Sequence, residues 1–376
     1  MSEPTILRGA RLFDGEGFRD GLALALEDGR IAGLAADDGR GEALEGGILA
    51  PGLIDLQVNG GGGIMLDGAA TVERIAGICA AHARLGATGI LPTLITDTPE
   101  ATRAVIGAAI AATAAGVPGL LGLHLEGPHL DPARKGAHDP ALFRPMTAAD
   151  LALYLDAAAR LPALIVTLSP GAADARQIAA LAGAGAIVSL GHSDCPAAEA
   201  AAAFAAGARM VTHLFNAMSP LGHRAPGLAG AALDSAADCG LIADGVHVDP
   251  LVLRLACAVR RAGRLFLVSD AMAVAGTGMD AFTLGTRRIL RREGRLVLAD
   301  GTLAGADLTL PRAVQVLVEA GAAPVGTALA MASRVPADIL GRADLGRLAP
   351  GARADLVWLG DDLALRGVWQ GGRRLA

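Results

Sequence analysis

The sequence predicts an α/β protein: a (β/α)8 barrel of the TIM type with a small β-sandwich domain formed by both termini. Three observations carry this. Eight apolar runs alternate with Ala-rich stretches of helical periodicity, both ends of the chain read as short strands, and several of the runs finish on a single His, Asp or Glu. A buried strand with one polar residue at its C-terminal tip is how barrels of this type present a site on their top face.

The ends come first. Residues 1–50 run as TILRGARLFD, GLALALEDG and RIAGLAA, broken by Gly and Asp turns, and residues 346–376 read the same way. The two are assigned together to the small domain, leaving 51–345 for the barrel. The strands expected there are GILAPGLIDLQV, GATGILPTLIT, LLGLHLE, ALIVTLSP, AIVSLGH, MVTHLF, GLIADGVHV and RLFLVSD. Between them lie helical segments such as TVERIAGICAAHARLG and PAAEAAAAFAAG. Parallel units of this spacing close into a barrel through right-handed crossovers. An open doubly wound sheet is the alternative, but no GxGxxG follows the first strand. The segment 282–305 breaks the alternation and is expected to form a hairpin or lid loop ahead of the last helices.

Composition narrows the function classes. With 52% hydrophobic and 19% charged residues, the 376-residue chain can bury a large core. Its net charge of −6 and the absence of basic runs interleaved with aromatics argue against nucleic acid as a partner. The Arg-rich stretch 286–298 is the one candidate patch and reads as a solvated hairpin face. Cys79, Cys195, Cys239 and Cys257 form no CxxC pair, the first residues show no basic-then-apolar leader, and the Ala-rich stretches are too short to span a bilayer. A cytoplasmic protein without a membrane partner is the expectation. Lys135, the only lysine, sits in the polar loop DPARKGAHDP, so a metal pair bridged by a carbamylated strand lysine is not expected.

Glu126, His192 and His213, on the third, fifth and sixth strands, would supply a His2Glu set with one position left open, the usual make-up of a hydrolytic metal site. Any one of these histidines alone is more often a hydrogen-bonded core residue. Three such residues at one end of one barrel favour a metal. Asp270 ends the eighth strand; beside an activated water it can take a proton and later return it to a leaving amine, whereas the plainer reading is a helix N-cap. His247 ends the seventh run and is a possible further ligand.

With those residues in place, the chain resembles the N-acetylglucosamine-6-phosphate deacetylase family of the amidohydrolase superfamily, whose members are metal-dependent hydrolases. PGLIDLQVNG (51–60), HLEGP (124–128), KGAHDP (135–140), GHSD (191–194), THLFNAM (212–218), APGLAG (225–230), DGVHV (244–248), SDAM (269–272) and DGTLAG (300–305) carry the resemblance, in family order and across nearly the whole chain. Many amidohydrolases have His-x-His on the first strand for a second metal. Here Gln57 and Asn59 stand at those places, and amides are poor ligands beside imidazole, so one divalent metal per subunit is expected. Zinc is the first expectation, with iron, cobalt or manganese as alternatives.

The resemblance implies Glu126, His192 and His213 as ligands, Asp270 as the acid/base, and His138 as donor to the acetamide oxygen. It implies that His247, Arg224 and groups at Asn216 and Ala217 hold the phosphate, and that Leu303 packs on the sugar. Arg224 would reach the neighbouring subunit's site in a homodimer. The substrate so implied is a phosphorylated amino sugar, N-acetylglucosamine 6-phosphate, with the galactosamine epimer as an alternative; an inactive binding protein of the same fold would show broken ligand positions, and none is broken here. Three residues depart from the family pattern. His129 is expected to pack like an aromatic, Gly171 removes a carboxylate, and Asp307 replaces a small residue. His82, His124 and His223 are read as structural.

Overall fold

The computed structural model describes residues 4–260 and 262–376. Eight parallel strands form the central sheet: β1 (Leu53–Val58), β2 (Ala87–Ile95), β3 (Leu123–Glu126), β4 (Leu164–Leu168), β5 (Ile187–Leu190), β6 (Met210–Val211), β7 (Asp238–Leu241) and β8 (Leu265–Leu267). Each pairs with its sequence neighbour. The sheet closes where the chain past β8 meets β1: the Asp270 N–H donates to the Gln57 carbonyl at 3.1 Å and the Asn59 N–H to the Ala271 carbonyl at 2.9 Å. The strands are buried on both faces, as a sheet wrapped by helices must be.

Helices α1 (Val72–Arg84), α2 (Pro99–Ala114), α3 (Ala148–Arg160), α4 (Ala175–Gly183), α5 (Ala197–Ala205), α6 (Gly227–Asp234) and α7 (Pro250–Val259) fall between successive strands, and α8 (Leu310–Glu319), α9 (Val325–Ala332) and α10 (Arg334–Ile339) follow the last. Their starts are written in the sequence. Thr71, Thr98, Thr147, Asp174 and Asp249 each accept a backbone N–H of the first turn, and α3 and α4 carry full capping boxes. No helix among the described residues is long and apolar enough to cross a membrane.

Two further sheets lie at the chain ends. One is N-terminal alone, ordered Arg30–Ala36, Leu22–Glu27, Thr5–Arg8 and Glu42–Ala43. The other mixes both ends: Arg373–Arg374, Leu365–Gln370, Leu356–Leu359, Ile48–Pro51, Arg11–Phe13 and Phe18–Arg19. A separate apolar cluster, including Leu12, Leu49, Leu356 and Trp369, fills the space beneath them. The first expected strand therefore divides. Ile48–Pro51 pairs antiparallel with Leu356–Leu359, and only from Leu53 does the chain join the barrel.

Two other expectations change. The apolar run 240–248 is not one strand, because β7 stops at Leu241 and Asp244 turns the chain. The stretch after β8 is more than a hairpin: Ala281–Leu284, Arg287–Arg292, Arg295–Val297 and Leu303–Ala306 make a four-stranded antiparallel flap whose Phe282, Leu284, Ile289, Leu296 and Ala304 share an apolar cluster with Met65, Met272, Ala273 and Val274 at the barrel top. Arg288, Arg292 and Arg295 are exposed, as expected of a solvated face, but Arg287 and Arg291 are half-buried. Arg291 forks onto Asp307 at 2.7 and 2.8 Å, which gives that unexpected aspartate its role, and Arg287 donates to the Ala137 carbonyl at 2.6 Å.

Candidate metal centre and its cavity

At the C-terminal ends of the strands a cavity of about 440 Å³ opens between the barrel, the loop after β3 and the flap. Ten of the residues singled out in the sequence line it: Asn59, Glu126, His138, His192, His213, Asn216, Ala217, His247, Asp270 and Leu303. Gln57 lies just behind them against Glu126 and Asp270. Arg224 does not line it and sits exposed in a surface loop.

Glu126, His192 and His213 converge from three strands, their ligand-type atoms all within 4.8 Å of one another. Glu126 Oε1 is 3.0 Å from His213 Nε2 and 3.4 Å from His192 Nε2, and the two Nε2 atoms are 3.1 Å apart. The His192 Nδ1 donates to the Arg134 carbonyl at 2.8 Å, which leaves Nε2 as the lone-pair nitrogen turned inward. This donor set, buried and with two ring nitrogens facing one point, fits a divalent cation. The backbone supports the same inference. His192, His213 and Asp270 hold positive φ of 44°, 29° and 51°, a region non-glycine residues enter at a cost and that clusters at functional sites.

Burial presses the Glu126 carboxyl upward, but hydrogen bonding to His192 and His213 outweighs it and holds the group well below its ordinary range. Burial opposes a charged His213 ring, and Glu126 overcomes that, raising it. Asp270 moves the other way: burial and the neighbouring charge of Glu126 raise it. Its side chain caps no helix. Asp270 Oδ1 accepts from Asn59 Nδ2 at 2.7 Å and from Gln57 Nε2 at 3.1 Å.

His138 stands over the centre, its Nε2 3.9 Å from Glu126 Oε2. Burial and the proximity of His192 keep its ring well below the ordinary histidine value, hence neutral. The Thr96 N–H points at His138 Nδ1 at 3.4 Å and the Thr96 hydroxyl lies 2.8 Å from it. A backbone N–H cannot accept, so Nδ1 is the acceptor and the ring proton sits on Nε2, turned toward the cavity. Gly127 makes room for this: at φ +92° a Cβ there would lie 2.2 Å from Thr96 Oγ1. Gly305 does the same for the flap, where a Cβ would fall 2.8 Å from the Asp270 carbonyl.

At the other end of the cavity, Asp244 Oδ1 accepts the N–H of Val246 and of His247, and Asp244 Oδ2 lies 2.6 Å from His247 Nδ1. This turn, not a strand tip, aims His247. The Asn216 N–H is spent on the His213 carbonyl at 2.9 Å, whereas the Ala217 N–H has no partner among the described residues. Of the remaining histidines, His124 bonds the Leu56 carbonyl and Thr167 inside the barrel, His82 bonds the Gly60 carbonyl, and His129 packs against Tyr154 while bonding the Arg144 carbonyl. His223 is exposed beside Arg224, and Gly171 faces open space. Thr96, Asp244 and Arg287 were not among the residues singled out; only DGVHV held a signal, since an Asp three residues before a His is a turn pattern. Lys135, set aside as a metal bridge, lines the cavity wall.

The profile of the amidohydrolase family matches residues 48–375. N-acetylgalactosamine-6-phosphate deacetylase of Shewanella sp. (strain ANA-3) is 38% identical over 380 residues, covering 98% of this chain and 95% of the relative. N-acetylglucosamine-6-phosphate deacetylase of Homo sapiens is 36% identical over 389 residues, covering 99% and 91%. Among solved structures, N-acetylglucosamine-6-phosphate deacetylase from Pasteurella multocida superposes with a TM-score of 0.94 at 31% identity, covering 99% of this chain and 100% of the other.

Proposed function

The chain belongs to the amidohydrolase family, and from that premise we propose that it removes the N-acetyl group of N-acetyl-D-glucosamine 6-phosphate, giving D-glucosamine 6-phosphate and acetate. The observation that carries this is the convergence of Glu126, His192 and His213 with Asp270 and His138 in one cavity. Glu126, His192 and His213 would hold one divalent ion, zinc first among the candidates. Bound there, the ion supplies Lewis-acid polarisation of the acetamide carbonyl and makes a nearby water more acidic.

The protein's own groups do the rest. Asp270, raised by burial and by Glu126, is suited to take a proton from the attacking water and hand it to the departing nitrogen. His138, neutral and protonated at Nε2, donates to the carbonyl oxygen as negative charge grows on it. Leu303 and the flap cover the sugar and exclude water. At the far end His247, backed by Asp244, and the free Ala217 N–H suit a phosphate. The side chain of Asn216 lies beside them; its backbone N–H does not take part. The exposed position of Arg224 supports its action across a homodimer, completing the neighbouring subunit's phosphate site.

A second reading has specific support. Relatives from Shewanella and from Escherichia coli O157:H7, at 38% and 36% identity, are named N-acetylgalactosamine-6-phosphate deacetylases. Acetate release from the two epimeric 6-phosphates, measured side by side on protein of known metal content, decides between them. Asp270→Asn is expected to keep its metal and lose turnover by about 10²- to 10⁴-fold. Full turnover in that variant sinks the mechanism.

A further inference from the structure

Glu126 and Asp270 are two carboxylates facing one buried space, and the amide of Gln57 lies between them. Its Nε2 is 3.2 Å from Glu126 Oε1, 3.3 Å from Glu126 Oε2 and 3.1 Å from Asp270 Oδ1. An amide nitrogen carries two hydrogens. One serves each carboxylate, the share of Glu126 being divided between its two oxygens. Asn59 Nδ2 adds a second donor to the same Asp270 Oδ1 at 2.7 Å. Both amides are 2% exposed, so these bonds form away from competing water.

The consequence is one-sided. Every side-chain hydrogen bond to the Asp270 carboxylate among the described residues ends on Oδ1, while Asp270 itself lines the cavity. Oδ2 is the oxygen left to face substrate. The main chain adds to the hold, since the Asp270 N–H and the Gln57 carbonyl are paired at 3.1 Å. Residues two apart on a strand share a face, which is why 57 and 59 together reach one carboxylate.

The geometry points to Gln57 and Asn59 as positioning residues for Asp270, an assignment that rests on the proton-transfer role proposed for Asp270 above. Gln57 spans the two carboxylates and offsets their repulsion with N–H donors, a neutral bridge where a cation would otherwise be needed. Asn59 pins Oδ1 and so fixes the rotation of the carboxylate. The amides thus have a task of their own besides being poor metal ligands.

The test uses the full-length metal-loaded protein carrying Gln57→Met or Asn59→Leu, which replace the amides by apolar groups of similar size. Both are expected to retain one metal ion per subunit, with kcat lowered at least about tenfold and KM for the sugar phosphate changed less than roughly threefold. Wild-type kcat in both, loss of the metal, or a rise in KM at unchanged kcat overturns the assignment. If Gln57→Met does not fold, Asn59→Leu carries the test with the same readouts. Asp270→Asn, assayed in parallel, separates the two levels. Activity there defeats the proposed function itself, whereas an inactive Asp270→Asn beside fully active amide variants defeats only the positioning role.

Discussion

Hydrogen bonding decides the state of one buried group and is overridden by burial at another. Thr96 fixes the proton of His138 on Nε2, because its backbone N–H can only donate and Nδ1 must accept. Thr96→Val removes the hydroxyl that holds the ring's orientation; kcat should fall by about 10-fold or more, below the 10²- to 10³-fold that losing a whole oxyanion donor costs. Steady-state kinetics with ¹⁵N NMR of the imidazole checks it, and an unchanged rate with a wild-type tautomer contradicts it. Asp55 shows the opposite situation. Fully buried beneath the site, it is pushed by burial from 3.8 to about 7, against hydrogen bonds from Ser269 and from the Gln57 N–H. The folded state therefore binds the proton more tightly than the unfolded chain. Stability from this group is intact at acid pH, declines as pH rises from 3.8 toward 7, and is lowest above that, by on the order of 4 kcal/mol. Asp55→Asn, which cannot titrate, should flatten the loss of melting temperature between about pH 5 and 8; a parallel decline in both proteins would show that Asp55 is not responsible. Neither residue was legible beforehand. Thr96 is one threonine among several in LPTLITDT, and its partner lies 42 positions away.

At the scale of elements, the flap is the part the sequence described least well. Its turns and arginines announced a hairpin, but nothing in a linear reading pairs Arg291 with Asp307 or lays Arg287 across the Ala137 carbonyl, a contact between residues 150 positions apart. The Arg287 contact joins the flap to the loop that carries His138, while Leu303–Ala306 hangs from the segment holding Asp270 through the Ala306 N–H to Asp270 carbonyl bond at 3.0 Å. The flap is thus tied to the positions of both Asp270 and His138, the groups proposed as acid/base and oxyanion donor. Asp307→Ala frees Arg291, and the pair is half-sheltered from solvent, so the effect should exceed that of an open surface pair. Hydrogen exchange across 281–306 should speed up and KM rise several-fold, with the melting temperature of the barrel little changed. Unchanged exchange there would mean that the apolar cluster the flap shares with Met65 and Met272 suffices. The barrel itself was far more legible. Its strands are buried on both faces and read as continuous apolar runs, and their order follows the chain. The errors fell where burial is uniform across a change of partner. Ile48–Pro51 and Leu53–Val58 look like one run yet belong to different sheets, and 240–248 looks like one strand yet breaks at the Asp244 turn.

For the whole molecule, Glu126, His192, His213 and Asp270 were legible because polar groups at strand tips stand out against apolar runs, whereas His138, Asn216, Ala217 and Leu303 came in only through the family resemblance and Arg224 gave no strand-tip signal. One subunit leaves it outside the cavity. Parts of the exposed surface are unusually apolar. Leu251, Leu255 and Val259 recur at four-residue intervals along α7 and are 55%, 53% and 48% exposed, and Leu221, three residues before Arg224, is 59% exposed. A helix stripe of this kind left in water marks a contact surface more often than a solvated face. Because α7 begins two residues after Val248 in the His247 turn, a second copy packed on the stripe would arrive beside the end of the cavity proposed to hold the phosphate. Leu255→Glu places a charge in the middle of that stripe and should shift the protein toward monomer in sedimentation velocity. If Arg224 completes the neighbour's phosphate site, the monomer loses a charge-assisted contact worth about 1.5 to 3 kcal/mol, so KM for the 6-phosphate should rise about 10- to 100-fold. Turnover of the unphosphorylated N-acetyl sugar, which makes no use of that contact, should be unaffected. Arg224→Ala in the intact dimer should reproduce the KM effect without the change in mass. A wild-type chain that sediments as a monomer at full activity would end the proposal of a shared site, and a dimer indifferent to Arg224→Ala would confine the interface to a structural role.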